Sequence, residues 1–417
     1  MNFYTLCITT AGHDASIALF NNDDLILFSQ GERHTRVKND DDINAQIFEY
    51  IKNNITETID LLIVHPVGQH IHNIYINITE TFNCKKIIRQ ELVKHYNRVV
   101  MTEDKNFSHH ITHALSAFYM SPFEDAVCLV VDALGSPFQL RKHHDVGIMG
   151  NETTTIVEIN KNYDKKLLYK KVQYVPAVRA GLYRVGGADD ADLLMFNFAG
   201  GLFDDGSFIK NVPFHVDLTP HMDIGNMYHT ISMHLDFGSH GCGKVMGLSA
   251  YGDPNNKLPP FLFGDTTYAN GNLFSIDRTI DRNCYPELYE DTSFQNFADM
   301  AYNVQRAIEK VFVSHAEFIK NNSNTKNLII AGGCALNILG VSAIKEKYPE
   351  FNIFVDPIAH DATNSIGLGI HCYKHYHDAT VTKKANSRSI YLGPEYQLSE
   401  ISNQVDELID LYNSSVL

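Results

Sequence analysis

Strand-like and turn-like segments alternate at the start of the chain. Residues 3–10, 15–20 and 25–30 are rich in β-branched and aromatic side chains, which is typical of strands. The sequences AGHD and NNDD between them are typical of turns. This pattern predicts a meander of three strands with a glycine at the first bend.

Helices and a further strand follow, and the strand pattern restarts at residue 126. Helical spacing predicts helices over 43–55 and 108–119, with a strand at 59–66 between them. AVCLVVDALGS (126–136) is a buried strand that runs into a Gly/Ser turn after an aspartate, and VGIMG, TTTIVEIN and LLYKKVQYV predict further strands. The two strand–turn beginnings lie roughly 120 residues apart, which indicates an internal duplication.

Two segments near the end of the chain share one layout. Residues 324–337 read as a strand that breaks at paired glycines and opens a helix, and 351–373 read as a strand, a polar turn and a helix of small residues. Such turns aim backbone N–H groups at an anion. The sequence therefore predicts an α/β protein with two lobes around a phosphate-binding cleft.

The predicted organisation has three parts. Residues 1–125 form the first lobe and 126–375 the second, with an insertion near 185–212 that is rich in glycine and aspartate. The insertion is interpreted either as a structural loop or as a lid specific to the acceptor. Residues 376–417 form a polar linker and a short terminal helix.

Composition narrows the class of protein. The chain has 417 residues and a formal net charge of −15, which argues against a non-specific nucleic-acid binder. Two basic stretches, 85–98 and 165–184, are solvated faces or local contacts with nucleic acid. Seven cysteines without a CxxC pair argue against a disulfide framework and favour a reducing interior. With no signal peptide or membrane span recognised, we expect a cytoplasmic protein of a bacterial or phage-infected cell.

Three histidines open the helix predicted at 108–119. His109 and His113 are four positions apart and share one helical face, whereas His110 points elsewhere. Ser108 is the candidate N-cap. Two histidines at this spacing suit iron or zinc, with a carboxylate from elsewhere as third ligand. The alternative is a partly exposed pair held by hydrogen bonds.

Three turns carry further candidate residues. His13 and Asp14 in AGHDAS form a titratable pair, in which His13 is a base, a phosphate contact or a histidine bonded only to its neighbours. Lys244 in GKVMGLSAYG is placed to reach a phosphate, unless this is an ordinary surface turn. The loop 31–40, GERHTRVKND, is an anion clamp or a solvated loop. Cys334 reads as a buried apolar residue rather than a nucleophile.

Seven stretches together resemble one family. They run in the family's order from residue 12 to 396: GHDASIALF, GERHTRVKND, HHITHALSAFYMSPFEDAVCLVVD, GKVMGLSAYGDP, AGGCALN, HDATNSIGLG and YLGPEY. With them the chain resembles the O-carbamoyltransferases that tailor antibiotics such as tobramycin and nodulation factors. The resemblance implies the duplicated actin-like ATPase fold, similar to the domain that transfers threonylcarbamoyl to tRNA, with two lobes around a nucleotide and metal cleft.

The resemblance also implies a site. Fe(II) or another divalent metal would be bound by His109, His113 and Asp361, and His13 and Lys244 would be the catalytic residues. The residues implied to bind the nucleotide are Gly12, Asp132, Gly135, Ser136, Gly332, Gly333 and Asn337. The implied reaction transfers a carbamoyl group from carbamoyl-adenylate, made from ATP and carbamoyl phosphate, to an acceptor hydroxyl. The acceptor would be a sugar or a hydroxymethyl-pyrimidine such as 5-hydroxymethylcytosine in DNA.

The sequence departs from the family pattern at two places that bear on the implied activity. The family has a glycine directly after the aspartate, where this chain reads VVDALGS (130–136). Nothing in the sequence matches the family's GRxEFGPRALG-like segment, which belongs to a C-terminal adenylate-forming domain. We therefore expect that a separate partner makes the adenylate, that the chain is truncated, or that activity is lost. A regulatory protein that binds nucleotide and metal without catalysis, and an ATP phosphotransferase, are the alternatives.

Overall fold

Strands and helices alternate along the part of the chain that the structure describes. The computed structural model describes residues 2–10, 13–40, 58–66, 84–89, 108–135, 137–143, 146–174, 196–197, 201–202, 214–219, 221–264, 266–275, 279–282, 285–376, 383 and 398–415. The strands are β1 (Tyr4–Thr10), β2 (Ser16–Asn21), β3 (Asp24–Gln30), β4 (Ile59–Pro66), β5 (Cys84–Arg89), β6 (Asp125–Val131), β7 (Pro137–His143), β8 (Val146–Asn160), β9 (Lys165–Tyr174), β10 (Phe196–Asn197), β11 (Gly201–Leu202), β12 (His215–Thr219), β13 (Phe274–Ser275), β14 (Thr279–Ile280), β15 (Asn327–Ala331) and β16 (Asn352–Val355). The helices are α1 (Gly31–Thr35), α2 (His109–Met120), α3 (Ile224–His234), α4 (Cys242–Leu248), α5 (Glu287–Glu290), α6 (Phe294–Asn322), α7 (Ile338–Lys347), α8 (Asn364–Tyr376) and α9 (Leu398–Ser415), with 3-10 turns at Ser249–Tyr251, Gly333–Leu336 and Asp361–Thr363.

Two sheets with the same strand order form the frame. The first has the order β3-β2-β1-β4-β5, and the second contains β9-β8-β6-β15-β16, with β12 beyond β9 and β7 paired to β8. In each sheet the first three strands are antiparallel and the last two run parallel to the central strand. Repetition of both order and direction confirms the predicted duplication and the actin-like architecture.

Two helices form a layer between the sheets. α2 and α8 pack against each other, with α8 on β1 and β2 of the first sheet and α2 on β6, β8 and β15 of the second. Their shared core includes Phe20 of β2, Phe118 of α2, Val130 of β6 and Ile366 of α8. Because α2 is covered on both sides, all of its residues except His109 are buried. Close packing around α2 therefore restricts the positions of its histidine side chains.

Glycine allows the two central helices to approach closely. A Cβ atom on Gly367 of α8 would overlap the carbonyl oxygen of Thr112 on α2. Gly367 thus serves a backbone-to-backbone contact between the two helices. This contact brings the start of α8, directly after the turn at Asp361–Thr363, against the first turns of α2.

A third layer covers the outer face of the second sheet. α3, α4, α6 and α7 pack there. The apolar residues of α6 recur at helical spacing, so that Ala301, Val304, Ile308 and Val311 share one buried face. Lys244 lies in this layer within α4, so the turn predicted there is wrong: the N–H groups of Lys244 and Val245 donate to the Gly241 carbonyl and begin a helix.

Most predicted elements coincide with observed ones. The meander, the strand at 59–66 and the helix at 108–119 are confirmed. VGIMG and TTTIVEIN are parts of one long strand, β8, because a register shift near Glu152–Thr154 lets the strand continue past the polar sequence between them. The helix predicted at 43–55 lies outside the described residues, as does most of segment 185–212. The boundaries at 125 and 375 stay predictions. Among the described residues, no helix is both long and apolar enough to cross a membrane.

Candidate active site

The first two turns of α2 carry two histidines that face the same point. Ser108 caps the helix, since its Oγ accepts a hydrogen bond from the Ile111 N–H at 3.3 Å. The Nε2 atoms of His109 and His113 are 3.1 Å apart. The predicted cap and the predicted shared face are both confirmed.

Two carboxylates complete a cluster around these imidazoles. Asp132 follows β6 and Asp361 follows β16, and these strands flank β15 in the parallel part of the second sheet. Carboxyl ends of parallel strands meet at one edge of a sheet, which is where ligands bind in such folds. Asp361 Oδ1 lies 3.3 Å from Nε2 of His109 and 3.2 Å from Nε2 of His113. Asp132 Oδ2 lies 3.4 and 3.6 Å from the same two atoms.

These separations fit the ligand shell of a divalent metal ion. Nitrogen and oxygen ligands lie about 2.0–2.2 Å from Zn²⁺, so neighbouring ligands at angles of about 90–110° are about 2.8–3.6 Å apart. The histidine–histidine and histidine–carboxylate separations all lie in that interval, and the four ligand atoms lie within 4.8 Å of one another. Two imidazoles with carboxylates suit iron or zinc and leave positions open for water or substrate.

Charge in the cluster is balanced between the imidazoles and the carboxylates. Burial alone would lower the pKa of His109, but Asp361 and Asp132 hold that pKa well above its ordinary value. Burial opposes ionisation of Asp361, yet His109 and His113 hold its pKa well below the ordinary value. The two carboxylates therefore favour the protonated form of the imidazoles by raising the pKa of both histidines. A bound cation would replace those protons, so metal binding releases them.

A second pair of side chains adjoins the cluster. His13 follows β1, and its Nδ1 lies 2.8 Å from Asp14 Oδ2, while its Nε2 lies 3.7 Å from Asp361 Oδ2. Asp14 is buried and also accepts a hydrogen bond from Asn39 Nδ2 at 2.9 Å. The hydrogen bond to Asp14 raises the pKa of His13. Because Nδ1 is held by Asp14, Nε2 is directed toward the cluster of two histidines and two carboxylates.

Some of the residues predicted to bind a nucleotide lie in turns beside the cluster, and another has a structural role. Gly332 and Gly333 follow β15, and a Cβ atom on Gly333 would lie 3.1 Å from Asp132 Oδ1, so this turn borders the cluster. Gly135 lies in the turn after Asp132. Asn337 instead caps α7, with Oδ1 accepting from Gly340 N at 2.9 Å, and pairs with Gln305. These hydrogen bonds show that Asn337 stabilises the start of α7. Its contact with a nucleotide stays a prediction.

Of the remaining predicted residues, one lies on α4 and two lie outside the described residues. Lys244 is exposed on α4, with Nζ 5.7 Å from the ring centroid of Phe237. Gly12 and Ser136 lie outside the described residues. Burial raises the pKa of Cys334, which keeps the thiol protonated, as expected for an apolar role. Asp132 was predicted on the nucleotide side only; its position after a buried strand was the available signal for a ligand role.

A comparison of the sequence with known protein families gives one match that covers the candidate site. The family described as "Carbamoyltransferase N-terminus" matches residues 65–370, which is most of the chain. This chain belongs to the carbamoyltransferase family. The match includes α2 with both histidines, Asp132 and Asp361, so all four members of the cluster lie within the family domain.

Relatives of this carbamoyltransferase chain are remote. It is 22% identical over 376 residues to the nodulation protein NolNO of Sinorhizobium fredii, covering 86% of this chain and 46% of the relative. It is 24% identical over 303 residues to an uncharacterised protein of Synechocystis, covering 70% of this chain and 40% of the relative. The chain thus spans less than half the length of these curated relatives.

Solved structures resemble the chain more loosely. HypF of T. kodakarensis aligns with a TM-score of 0.47 at 11% identity, over 92% of this chain and 49% of HypF. The activator of 2-hydroxyisocaproyl-CoA dehydratase from Clostridium difficile, solved with bound ADPNP, aligns with a TM-score of 0.43 at 11% identity, over 90% of this chain and 96% of the activator. The assignment of the fold rests on the sheet order of this chain.

Proposed function

We propose that this chain transfers a carbamoyl group from carbamoyl-adenylate to the hydroxyl of an acceptor, with the aid of a divalent metal ion. One observation carries the proposal: His109, His113, Asp132 and Asp361 converge in a carbamoyltransferase-family chain, with His13 at the edge of their cluster. Fe(II) is the proposed ion, and zinc or another borderline divalent metal fits the same donors.

The proposed chemistry divides between the ion and the protein. When bound, the ion supplies a Lewis acid that lowers the pKa of the acceptor hydroxyl. His13 Nε2 takes the hydroxyl proton, because Asp14 holds Nδ1 and keeps the ring in place. The acceptor oxygen then bonds to the carbamoyl carbon, and the bond from that carbon to the phosphate oxygen breaks, releasing AMP. A base of this kind accelerates a reaction by roughly 10²- to 10⁴-fold.

Binding of the adenylate is assigned to the turns beside the cluster. The turn at Gly332 and Gly333 follows β15 at the edge of the sheet that also carries Asp132. Backbone N–H groups at such turns suit a phosphate. Gly12, Gly135, Ser136, Asn337 and Lys244 complete the proposed nucleotide and phosphate contacts.

Two acceptor classes fit this proposal: a sugar hydroxyl of a small molecule, and a hydroxymethyl-pyrimidine in a nucleotide or DNA. The net charge of −15 favours the small molecule, because it repels a phosphate backbone. A separate adenylate-forming protein or domain is the proposed source of carbamoyl-adenylate, made from ATP and carbamoyl phosphate.

A transfer assay read by mass spectrometry tests the proposal. The purified chain receives ferrous iron, ATP, carbamoyl phosphate and a panel of aminoglycosides, nucleosides and DNA containing hydroxymethylcytosine, with and without a separately made adenylate-forming domain. We expect one acceptor to gain the mass of one carbamoyl group. His13→Gln should lower the rate at least 100-fold. His234→Gln, a half-buried histidine beside Tyr289, is the matched control and should keep the rate.

The alternatives give different results in the same assay. Metal and adenylate binding without any transferred carbamoyl group would favour the regulatory protein. Release of ADP without carbamoyl phosphate would favour the ATP phosphotransferase.

A further inference from the structure

A buried ion pair lies under the first turn of α2. Glu152 of β8 is fully buried, and its Oε1 accepts a hydrogen bond from the backbone N–H of His110 at 3.0 Å. Lys170 of β9 donates to Glu152 Oε2 and, at 3.2 Å, to Ser108 Oγ. The pair therefore contacts both the cap and the first turn of the helix that carries His109.

The same segment of β8 holds the turn that carries Asp132. Asp132 N donates to the Thr153 carbonyl at 3.0 Å, and Gly135 N donates to the Glu152 carbonyl at 2.7 Å. Asn151 Nδ2 donates to the Gly135 carbonyl at 3.2 Å. Glu152 thus contacts α2 through its side chain and the Asp132 turn through its backbone.

His110 fills the space between these parts. It is fully buried, and its Nδ1 lies 2.9 Å from Thr155 Oγ1 on β8. Its ring faces the Asp132 turn so closely that a Cβ atom on Gly135 would lie 2.7 Å from His110 Nε2. His110, the second histidine of HHITH, is therefore a spacer between α2, β8 and the turn.

We propose that Glu152, Lys170 and His110 are positioning residues of the metal cluster, which fix His109 on α2 relative to Asp132 after β6. The inference rests on the proposed function, because it takes the cluster to bind a metal ion. The ligand atoms of His109 and Asp132 belong to separate segments, and β8 contacts both segments. Partners that orient metal ligands in this way commonly change metal affinity 10- to 100-fold when they are replaced.

Co²⁺ binding to the metal-free full chain tests this inference without any transfer reaction. The double variant Glu152→Met with Lys170→Met removes both charges together, so that no unpaired charge stays buried. We expect the Kd for Co²⁺, measured by calorimetry, to rise 10- to 100-fold, and the visible absorption of bound Co²⁺ to change. Thr155→Val removes the hydroxyl partner of His110 with little change of shape, and a smaller, several-fold rise is expected.

Controls separate positioning from a general loss of stability. Ile319→Ala creates a cavity in the core at the far end of α6, and it should lower thermal stability yet leave the Co²⁺ Kd and spectrum unchanged. Equal loss of affinity in Ile319→Ala, or wild-type affinity and spectrum in the double variant, would overturn the inference. If the double variant does not fold, Thr155→Val decides: several-fold weaker binding supports the inference and unchanged binding overturns it. A wild-type chain that binds no Co²⁺ would overturn the metal cluster itself, together with this inference.

Discussion

Asp361 faces two different neighbours with its two oxygens. Oδ1 lies within 3.3 Å of His109 and His113, whereas Oδ2 lies 3.7 Å from His13 Nε2. One carboxylate is thus shared between the metal cluster and the proposed base. Because of this sharing, an ion bound at the cluster would sit beside His13, where an acceptor hydroxyl can contact both.

Replacement of His109 distinguishes two hypotheses: that His109 and His113 bind a metal ion, and that they only form hydrogen bonds. Replacing His109 by Ala removes one nitrogen ligand, and we expect bound metal and carbamoyl transfer to be abolished together. Metal content by mass spectrometry and the transfer assay measure the two effects. His234→Ala, at a half-buried histidine whose Nε2 lies 3.0 Å from the Leu288 carbonyl oxygen, is the control. A His109→Ala protein that keeps both metal and transfer would contradict the site.

Asp356 makes the stability depend on pH. It is buried after β16, its Oδ1 accepts from the Ile358 N–H at 3.0 Å, and burial raises its pKa from 3.8 to about 6. Because the folded-state pKa is the higher one, this carboxyl contributes most below about pH 4, and the contribution is lost as pH rises through about 6. Asp356→Asn keeps an acceptor for Ile358 and cannot ionise.

We expect Asp356→Asn to be more stable than the natural chain at pH 8 by roughly 1–3 kcal/mol. The difference should vanish below about pH 4, where both side chains are neutral. Urea unfolding of metal-free protein across this pH range measures it. A difference that is the same at every pH would show that ionisation of Asp356 is not its cause.

At the scale of elements, the crossing of α2 and α8 sets the distance between His113 and Asp361. Gly367→Ala would push a methyl group into the Thr112 carbonyl, so the helices must separate. Overpacking of this kind costs about 1–3 kcal/mol or more. We expect a lower unfolding temperature and weaker binding of Co²⁺.

Gly247→Ala provides a matched control for this substitution. It lies in α4, where a Cβ atom would meet nothing within 4 Å. The same chemical change should there be neutral or stabilise the helix by up to about 1 kcal/mol. Equal losses of stability in both variants, seen by thermal unfolding, would contradict the role assigned to the helix crossing.

The sequence predicts individual elements better than their arrangement. Helical spacing is enough to place His109 and His113 on one face, and Ser108 at the cap, because these are relations within one turn. Asp132 is different: only the pairing of β6, β15 and β16 brings it to the histidines, and a sequence without pairing information shows an aspartate before a turn. The contacts of Glu152 cannot be predicted from the sequence for the same reason, since its partners Lys170 and His110 lie on other elements.

At the scale of the molecule, the candidate metal site joins segments that are far apart in the chain. Its four residues come from α2, from the end of β6 and from the turn before α8. An ion that binds only the folded state stabilises it by mass action, by about 4 kcal/mol at a concentration a thousandfold above Kd.

We therefore expect Co²⁺ or Fe²⁺ to raise the unfolding temperature of the chain, and a chelator to reverse the change. Scanning calorimetry with and without the ion measures this shift. His113→Ala should abolish the shift, because the folded state would lose a ligand. A shift of equal size in His113→Ala would place the bound ion elsewhere in the chain.

The position of α8 between the sheets has a consequence for biosynthesis. Asp361 is 248 residues beyond His113, so at 5–20 residues per second it leaves the ribosome roughly 10–50 seconds later. During that interval α2 lacks the helix that covers it, and its two histidines are available without Asp361. An incomplete pair of imidazoles binds Cu²⁺ or Ni²⁺ more tightly than Fe²⁺. The complete set of four donors that we propose to hold the ion therefore forms only after α8 has been made and has docked.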